Sequence, residues 1–323
     1  MTSTSNVPRY LFRVYSPGSD GLNSVAGFTS QAKQFDTNNL RTLSQLSRKD
    51  ASSMLRDHVL WKSYKERNDD LLISFTSSFL FALQHSVRKI NQCWRTTEQN
   101  CYICIIDTSK YPSGTFSWTV DLLNRYDLDG TQDPLLQHRF HEAEYLAQCD
   151  LTLVDGSSVH VSFGNLLSQG GLYEAIPELA EEIHRPMLWN RLREFRATWY
   201  QRVEPVTQRE IQRAHRLAIC FGGQWVPVIM IWALAIRARP EADALIEAEF
   251  EDGFYGEITT PFLFTGPTPV PPTLRELVEW ERLMGTAYKA QQDAATGEAQ
   301  AESGQASDGE DDEQLMGLAQ LGL

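Results

Sequence analysis

The feature that most constrains this chain is an apolar stretch of 20 residues, LAICFGGQWVPVIMIWALAI, at positions 217–236. Its length alone matches a helix that crosses a membrane. Gly222, Gly223 and Pro227 interrupt the stretch near its middle, which favours two buried helices joined by a turn. With 323 residues, 42% of them hydrophobic, the chain is long enough to bury such helices in a large core. We therefore predict a globular protein without a membrane partner.

Charge and cysteine content narrow the setting. The formal net charge is −13, and the segment from Gln291 onward contributes eight acidic residues and no Lys or Arg, which leaves −5 for the rest. Because a duplex-binding surface needs clustered basic residues, no nucleic-acid partner is expected. The five cysteines are an odd number, which favours reduced thiols, and no secretory signal is evident. These features predict a cytoplasmic protein, with a nuclear location as the alternative because the leucine spacing in LMGLAQLGL resembles an export peptide.

The pattern of elements changes along the chain. Short apolar strands separated by helices and turns fill residues 1–170, and helical periodicity dominates residues 171–290. Residues 291–323 are acidic and of low complexity, which predicts disorder. The fold class expected is therefore α+β, with a first domain at 1–170 and a helical region after it.

Three short segments in the first domain combine polar residues with apolar strands. YLFRVYS places Arg13 within a strand, LLISFTSS places Ser74 where a strand meets a helix, and HEAEYLAQ contains Glu142 and Glu144. Residues two apart on a strand point to the same face, so the two carboxylates are expected on one side of a sheet. A structural explanation stays open for each: an Arg paired with a structural carboxylate, a helix cap, and a solvated strand edge.

In type and order, these segments resemble the three-part motif of ADP-ribosyltransferases in the Arg-Ser-Glu class, which contains cholera toxin and heat-labile enterotoxin. The chain also resembles an uncharacterised domain common in filamentous fungi. The toxin class has an Arg on its first strand, a Ser-Thr-Ser triplet at the end of another strand and a Glu-x-Glu on a later one. The resemblance covers roughly residues 9–167 and implies a split β-sheet domain that uses NAD as a substrate.

The resemblance also implies roles for individual residues. Arg13 would anchor the dinucleotide through a phosphate, since a guanidinium can fork two hydrogen bonds onto it. Ser74, at the first position of the triplet, would hold a carboxylate in one rotamer, and Glu144 would stabilise the oxocarbenium-like cation formed when nicotinamide leaves. Glu142 would orient or deprotonate the acceptor, for which Glu-x-Glu implies an arginine side chain of a protein.

Thr76 falls at the third position of the triplet, and His58 lies in a region where the toxins also carry an Asp-His pair. By the same resemblance, both would help to bind NAD. No metal site is expected, because His138, His141 and Glu142 lack a further evident ligand.

The sequence also departs from the toxins. Phe75 occupies the middle position of the triplet, and the stretch after Glu144 lacks the paired glycines of the toxins. An inactive relative that acts as a protein-interaction module is therefore the alternative to a mono-ADP-ribosyltransferase.

Overall fold

The computed structural model describes residues 7–35, 41–62, 69–128, 133–181, 188–251 and 271–318. It has the α+β architecture predicted, with antiparallel sheets in the first half and mainly helices after residue 162. The strands are β1 Tyr10–Tyr15, β2 Leu22–Ser24, β3 Gly27–Thr29, β4 Leu72–Thr76, β5 Tyr102–Asp107, β6 Ser117–Trp118, β7 Glu144–Gln148, β8 Asp150–Thr152 and β9 Ser158–Ser162. The helices are α1 Gln31–Phe35, α2 Arg48–Val59, α3 Phe79–Gln92, α4 Thr119–Arg125, α5 Phe163–Ser168, α6 Leu172–Ala175, α7 Pro177–Glu181, α8 Leu188–Trp199, α9 Gln208–Ile219, α10 Val226–Ala235, α11 Ala244–Glu251 and α12 Arg275–Leu318.

The strands form two sheets. Six of them pair in the order β6-β7-β4-β1-β5-β9, and β2, β3 and β8 form a smaller sheet. Every pair is antiparallel. In the larger sheet, β1 pairs with β5 along its whole length but meets β4 only at Phe12 and Thr76. The sheet is therefore split between β1 and β4, at the level of Arg13 and Ser74.

The apolar stretch at 217–236 folds as the predicted pair of helices. Helix α9 begins with a capping box made by Thr207 and Glu210 and ends before Gly222, whose φ of 86° suits a residue without a side chain. Helix α10 is buried around almost its whole circumference, which explains why the segment is apolar at every position. None of the helices in the described part of the chain has both the length and the apolar character needed to cross a bilayer.

The largest hydrophobic core joins the two halves of the chain. It contains Phe12 of β1 and Phe79 of α3 together with Trp232 of α10 and Trp280 of α12. Trp232 packs against Trp280 at a centroid distance of 5.4 Å and against Phe12 at 5.9 Å. Residues on both sides of position 170 therefore pack around a common core, although the change in sequence pattern at that position predicts a domain boundary.

Two smaller cores complete the packing. One lies between the two sheets and contains Phe28 of β3 and Phe75 of β4. The other packs α2 against the sheet through Leu55 and Leu72. At the far end of the chain, the helical backbone of α12 extends to Leu318, through most of the acidic segment for which composition predicts disorder, and that disorder stays a prediction.

Candidate functional site

A cavity of about 1170 Å³ opens where the split in the sheet faces the helical region. Its volume is slightly larger than the roughly 300–1,000 Å³ typical of small-molecule sites. One wall comes from the first half of the chain, and residues 192–197 and 272–275 contribute the other. The site residues predicted from the sequence all line this cavity: Arg13, His58, Ser74, Thr76, Glu142 and Glu144.

Ser74 and Glu144 meet across the β4–β7 pair. Thr76 is opposite Glu144 and Ser74 is opposite Leu146, so Ser74, Thr76 and Glu144 share one face of the sheet. The hydroxyl of Ser74 donates to Oε1 of Glu144 at 3.3 Å. Two residues 70 positions apart in the sequence are thus brought into direct contact by strand pairing.

His58 extends the contact on the other side of Ser74. The end of α2 brings its Nε2 to 2.7 Å from the Ser74 hydroxyl, and its Nδ1 lies 2.8 Å from Oδ2 of Asp70. Asp70 is buried, and its second oxygen accepts from the backbone amide of Leu72 at 3.0 Å. Burial lowers the pKa of His58, but the Asp70 carboxylate outweighs this effect, and the net pKa is raised.

His141 holds the far side of Glu144. Its Nδ1 lies 2.9 Å from Oε2 of Glu144, and its Nε2 lies 2.8 Å from the backbone carbonyl of Leu135. Burial lowers the pKa of His141, and the hydrogen bond and charge of Glu144 raise it by more, so that the net shift is upward. Both oxygens of Glu144 therefore face hydrogen-bond donors.

Arg13 crosses the split between β1 and β4. Its Nη1 donates to the Ser74 carbonyl at 2.8 Å, and Nε and Nη2 donate to Oδ1 of Asn23 at 3.2 and 2.8 Å. Phe28 and Phe75 lie 5.0 and 5.7 Å from the guanidinium. Burial lowers the pKa of Arg13 to about 10, so the group is still cationic at neutral pH.

The partners of Arg13 are neutral. Within the described ranges, no carboxylate forms an ion pair with it, which removes the structural explanation of an Arg held by a carboxylate. Three of its five N–H donors are used. Among the described residues the remaining two donors have no partner, and a cation without an ion-pair partner is suited to an anionic ligand.

Glu142 does not lie on a strand, contrary to the prediction from the sequence. Strand β7 begins at Glu144, so Glu142 lies in the preceding turn and the alternation of side chains along a strand does not place it. It reaches the same cavity by another route, since the hydroxyl of Thr273 donates to its Oε2. The second carboxylate is therefore attached to the helical wall of the cavity.

The other hydroxyls of the triplet region have local roles. Thr76 accepts from the backbone amide of Ser78 at 3.1 Å, which forms a tight turn at the end of β4. Ser78 caps α3 by accepting from the amide of Phe81 at 3.1 Å. Ser77 does not cap the helix, because its hydroxyl donates to the carbonyl of Ala143 at 3.4 Å.

The order Asp70–His58–Ser74 also has the distances of a serine nucleophile with its base. The directions of the hydrogen bonds argue against that chemistry. If Ser74 donates its only proton to Glu144, the Nε2 of His58 must donate to Ser74, and Nδ1 already faces the Asp70 carboxylate. His58 is then an imidazolium, which cannot accept a proton from Ser74.

The cavity is more basic than the rest of the chain. Seven Lys or Arg residues line it against five Asp or Glu, whereas the chain as a whole carries a net charge of −13. The basic residues are Arg13, Lys62, Lys89, Arg139, Arg193, Arg196 and Arg275. A local excess of positive charge in an acidic protein favours a negatively charged ligand.

The contacts of Asp70 with His58 and of His141 with Glu144 have only weak signals in the sequence. Asp70 follows another acid in a turn, and His141 is the second histidine of HRFHE, a motif that suggests a metal ligand as readily as a partner for Glu144. Among the residues that the structure describes, no group of three or more His, Cys, Asp or Glu could hold a metal ion. The spacing of three residues between His141 and Glu144 is the one signal that could have indicated their contact.

Phe75, which occupies the position of the middle threonine of the toxin triplet, contributes to the core between the two sheets. Its ring is buried between the sheets and packs on Phe28 and Phe116 at 5.9 and 5.3 Å. We expect Phe75→Thr, which restores the toxin residue, to lower the free energy of unfolding by about 3 kcal/mol, because it leaves a cavity in the core. Urea denaturation measures the change, and Trp94→Thr at an exposed aromatic should change it by less than about 1 kcal/mol. A neutral effect of Phe75→Thr would contradict this role in packing.

The two histidines of the site predict a dependence of stability on pH. His58 and His141 have raised pKa values in the folded chain. Their protonation therefore stabilises the fold, and this contribution is complete below about pH 6.5, the pKa of histidine in the unfolded chain. This contribution is lost as the pH rises from about 6.5 through the folded pKa values. Denaturant unfolding across this range should show falling stability in the wild type and a flatter profile in a His58→Gln/His141→Gln double variant. Equal slopes would contradict the assignment.

Comparison with known proteins gives one match. A family described as a domain of unknown function (DUF7587) matches residues 6–148, which is less than half of the chain. No curated protein and no solved structure matches it. The matched region contains Arg13, His58, Ser74 and Glu144, whereas the cavity wall at 192–197 and 272–275 lies outside it.

Proposed function

We propose that the chain is an NAD-dependent mono-ADP-ribosyltransferase. The observation that carries this proposal is the meeting of Arg13, Ser74 and Glu144, from strands β1, β4 and β7, around one cavity. The order and residue types resemble the Arg-Ser-Glu class. The split between β1 and β4 also supports this proposal, since it opens the sheet beside these residues.

The chemistry of each group suits cleavage of NAD. The two N–H donors of Arg13 that have no partner in the described part of the chain can bind a phosphate of the dinucleotide. When the bond from nicotinamide to ribose breaks, nicotinamide leaves with the bonding electron pair and positive charge develops on the ribose. Glu144, fixed by Ser74 and His141, supplies a carboxylate that needs little reorganisation to stabilise that charge.

Glu142 is the group proposed to serve the acceptor. An acceptor nitrogen that attacks the ribose carbon must give up a proton, and a carboxylate at the edge of the cavity can take it. Its bond to Thr273 places it at the helical wall, where a protein substrate could approach. The acceptor class, an arginine side chain, is carried by the resemblance alone.

The experiment is incubation of the full chain with NAD labelled on its adenylate moiety, with and without cell lysate. Release of nicotinamide measures cleavage, and retention of label on protein measures transfer. We expect both, with transfer dependent on an added acceptor protein. Absence of nicotinamide release under any of these conditions would contradict the proposed activity.

A second candidate is an inactive relative that acts as an interaction module. It is favoured by the bond between Thr273 and Glu142, which keeps the second carboxylate engaged, and by the buried Phe75 in place of a threonine. Under this reading, NAD or a related anion binds and nicotinamide is not released. Calorimetric titration with NAD beside the release assay separates the two candidates.

A further inference from the structure

His141 is a buried residue beside the cavity, 4% exposed, at the end of a 3₁₀ turn formed by His138–Phe140. The resemblance to the toxins gives it no role. It is the one side chain besides Ser74 that hydrogen-bonds the Glu144 carboxylate within the described ranges.

The two partners of His141 determine its protonation. A backbone carbonyl can only accept, so Nε2, at 2.8 Å from the carbonyl of Leu135, must carry a proton. An ionised carboxylate also only accepts, so Nδ1, at 2.9 Å from Glu144, must carry one as well. The alternative, a neutral imidazole beside a protonated Glu144, puts the proton on the weaker base, because the ordinary pKa of Glu is about two units below that of His.

The imidazolium and Ser74 together fix the orientation of Glu144. Ser74 donates to Oε1 at 3.3 Å and His141 donates to Oε2 at 2.9 Å, so each oxygen has its own donor. His141 is itself anchored through Leu135, which belongs to a 3₁₀ turn that buries Leu136 in the α2 core. The carboxylate is thereby held by two side chains that approach from different elements.

We propose that His141 is a positioning residue that, as an imidazolium, keeps the Glu144 carboxylate aimed beside Ser74, and that NAD cleavage slows when His141 loses its Nδ1 proton. The inference rests on the proposed function and adds a means of regulation by pH to it. Loss of the Nδ1 proton turns a donor into a lone pair that faces the carboxylate. That contact is repulsive, so the carboxylate rotates away from its orientation beside Ser74.

The charged groups around His141 come from several elements. His58 of α2 repels its charge, and Glu144 of β7 stabilises it more strongly. Arg139 and Glu142, in the same turn region, line the cavity beside it. The balance of these charges favours the protonated form, in agreement with the geometry.

The test compares the pH dependence of nicotinamide release in the wild type, His141→Ala and His141→Gln. We expect the wild-type kcat to fall at alkaline pH, above the ordinary histidine pKa of about 6.5. His141→Ala should lower kcat by roughly 10-fold to 100-fold with KM for NAD within about twofold, the scale of losing a group that orients a catalytic side chain. His141→Gln, whose amide donates at every pH, should recover part of kcat and lose the alkaline decline.

A second measurement separates this inference from the proposed activity. Imidazole ¹⁵N NMR of the substrate-free chain should show a His141 pKa above the ordinary value of about 6.5, with both ring nitrogens protonated below it, and a lower His141 pKa in Glu144→Gln. If nicotinamide is never released, the proposed function fails, and the NMR result still decides the state of His141. The inference is overturned by a His141 pKa at or below about 6.5, by a titration that Glu144→Gln leaves unchanged, or by a folded His141→Ala protein with wild-type kcat and pH profile.

Discussion

Replacement of Glu144 by Gln is expected to slow nicotinamide release by roughly 10²–10³-fold, the loss typical of removing one preorganised electrostatic group. The side chain keeps its size and its contacts with Ser74 and His141 can be re-formed in part, but the variant lacks the negative charge that the proposed mechanism requires beside the ribose. Because the charge acts on the transition state more than on bound NAD, the effect should fall on kcat and leave KM nearly unchanged.

Two variants provide controls for this result. Glu247→Gln removes an exposed acid of α11 that does not line the cavity and should leave the rate within about twofold, since an exposed charge is screened. Glu142→Gln should reduce transfer to protein and leave cleavage of NAD by water nearly intact. Equal rates of nicotinamide release for wild type and Glu144→Gln would eliminate Glu144 as the catalytic carboxylate.

Replacement of Glu276 by Ala is expected to lower the free energy of unfolding by about 3–5 kcal/mol, the range for breaking a buried ion pair. Glu276 of α12 is fully buried and accepts from Arg196 of α8 through both oxygens, with Nε at 3.1 and 2.9 Å. It also accepts from Ser78, the cap of α3, at 2.7 Å. Removing the carboxylate leaves a guanidinium, itself mostly buried, without its partner.

Chemical denaturation measures this change. Arg48→Ala, which breaks the exposed pair of Arg48 with Asp127, should cost less than about 1 kcal/mol. The double variant Arg196→Met/Glu276→Leu should be more stable than Glu276→Ala, since it removes the uncompensated charge and fills the space. If Glu276→Ala costs no more than Arg48→Ala, Glu276 does not stabilise the packing of α12 against α8 and α3.

Most of the helices and strands can be predicted from the periodicity and alternation of apolar residues in the sequence. The interruption at Gly222 divides the apolar stretch into α9 and α10, as the sequence predicts. The strands that carry Arg13, Ser74 and Glu144 are short and strongly patterned, so their existence can be read from the chain. Their neighbours in the sheet cannot, because pairing of β4 with β7 joins segments about 70 residues apart.

The contacts of the site were harder to predict. Glu142 lies in a turn, where alternation does not apply. Asp70 and His141 form hydrogen bonds with His58 and Glu144, two residues that the sequence did predict. Such contacts depend on distances in the folded chain, which the sequence does not give. The wall at 192–197 and 272–275 comes from α8 and from the turn that leads into α12. Neither segment has a local sequence signal that predicts its position over the cavity.

A crystal structure of Glu144→Gln grown with saturating NAD tests most directly whether the cavity holds NAD beside Arg13, Ser74 and position 144, since this variant should bind the dinucleotide without consuming it. We expect NAD in the cavity, with a phosphate on Arg13 and the nicotinamide ribose beside Ser74 and position 144. An empty cavity in crystals that hold NAD at saturating concentration, or NAD bound elsewhere on the molecule, would contradict the account.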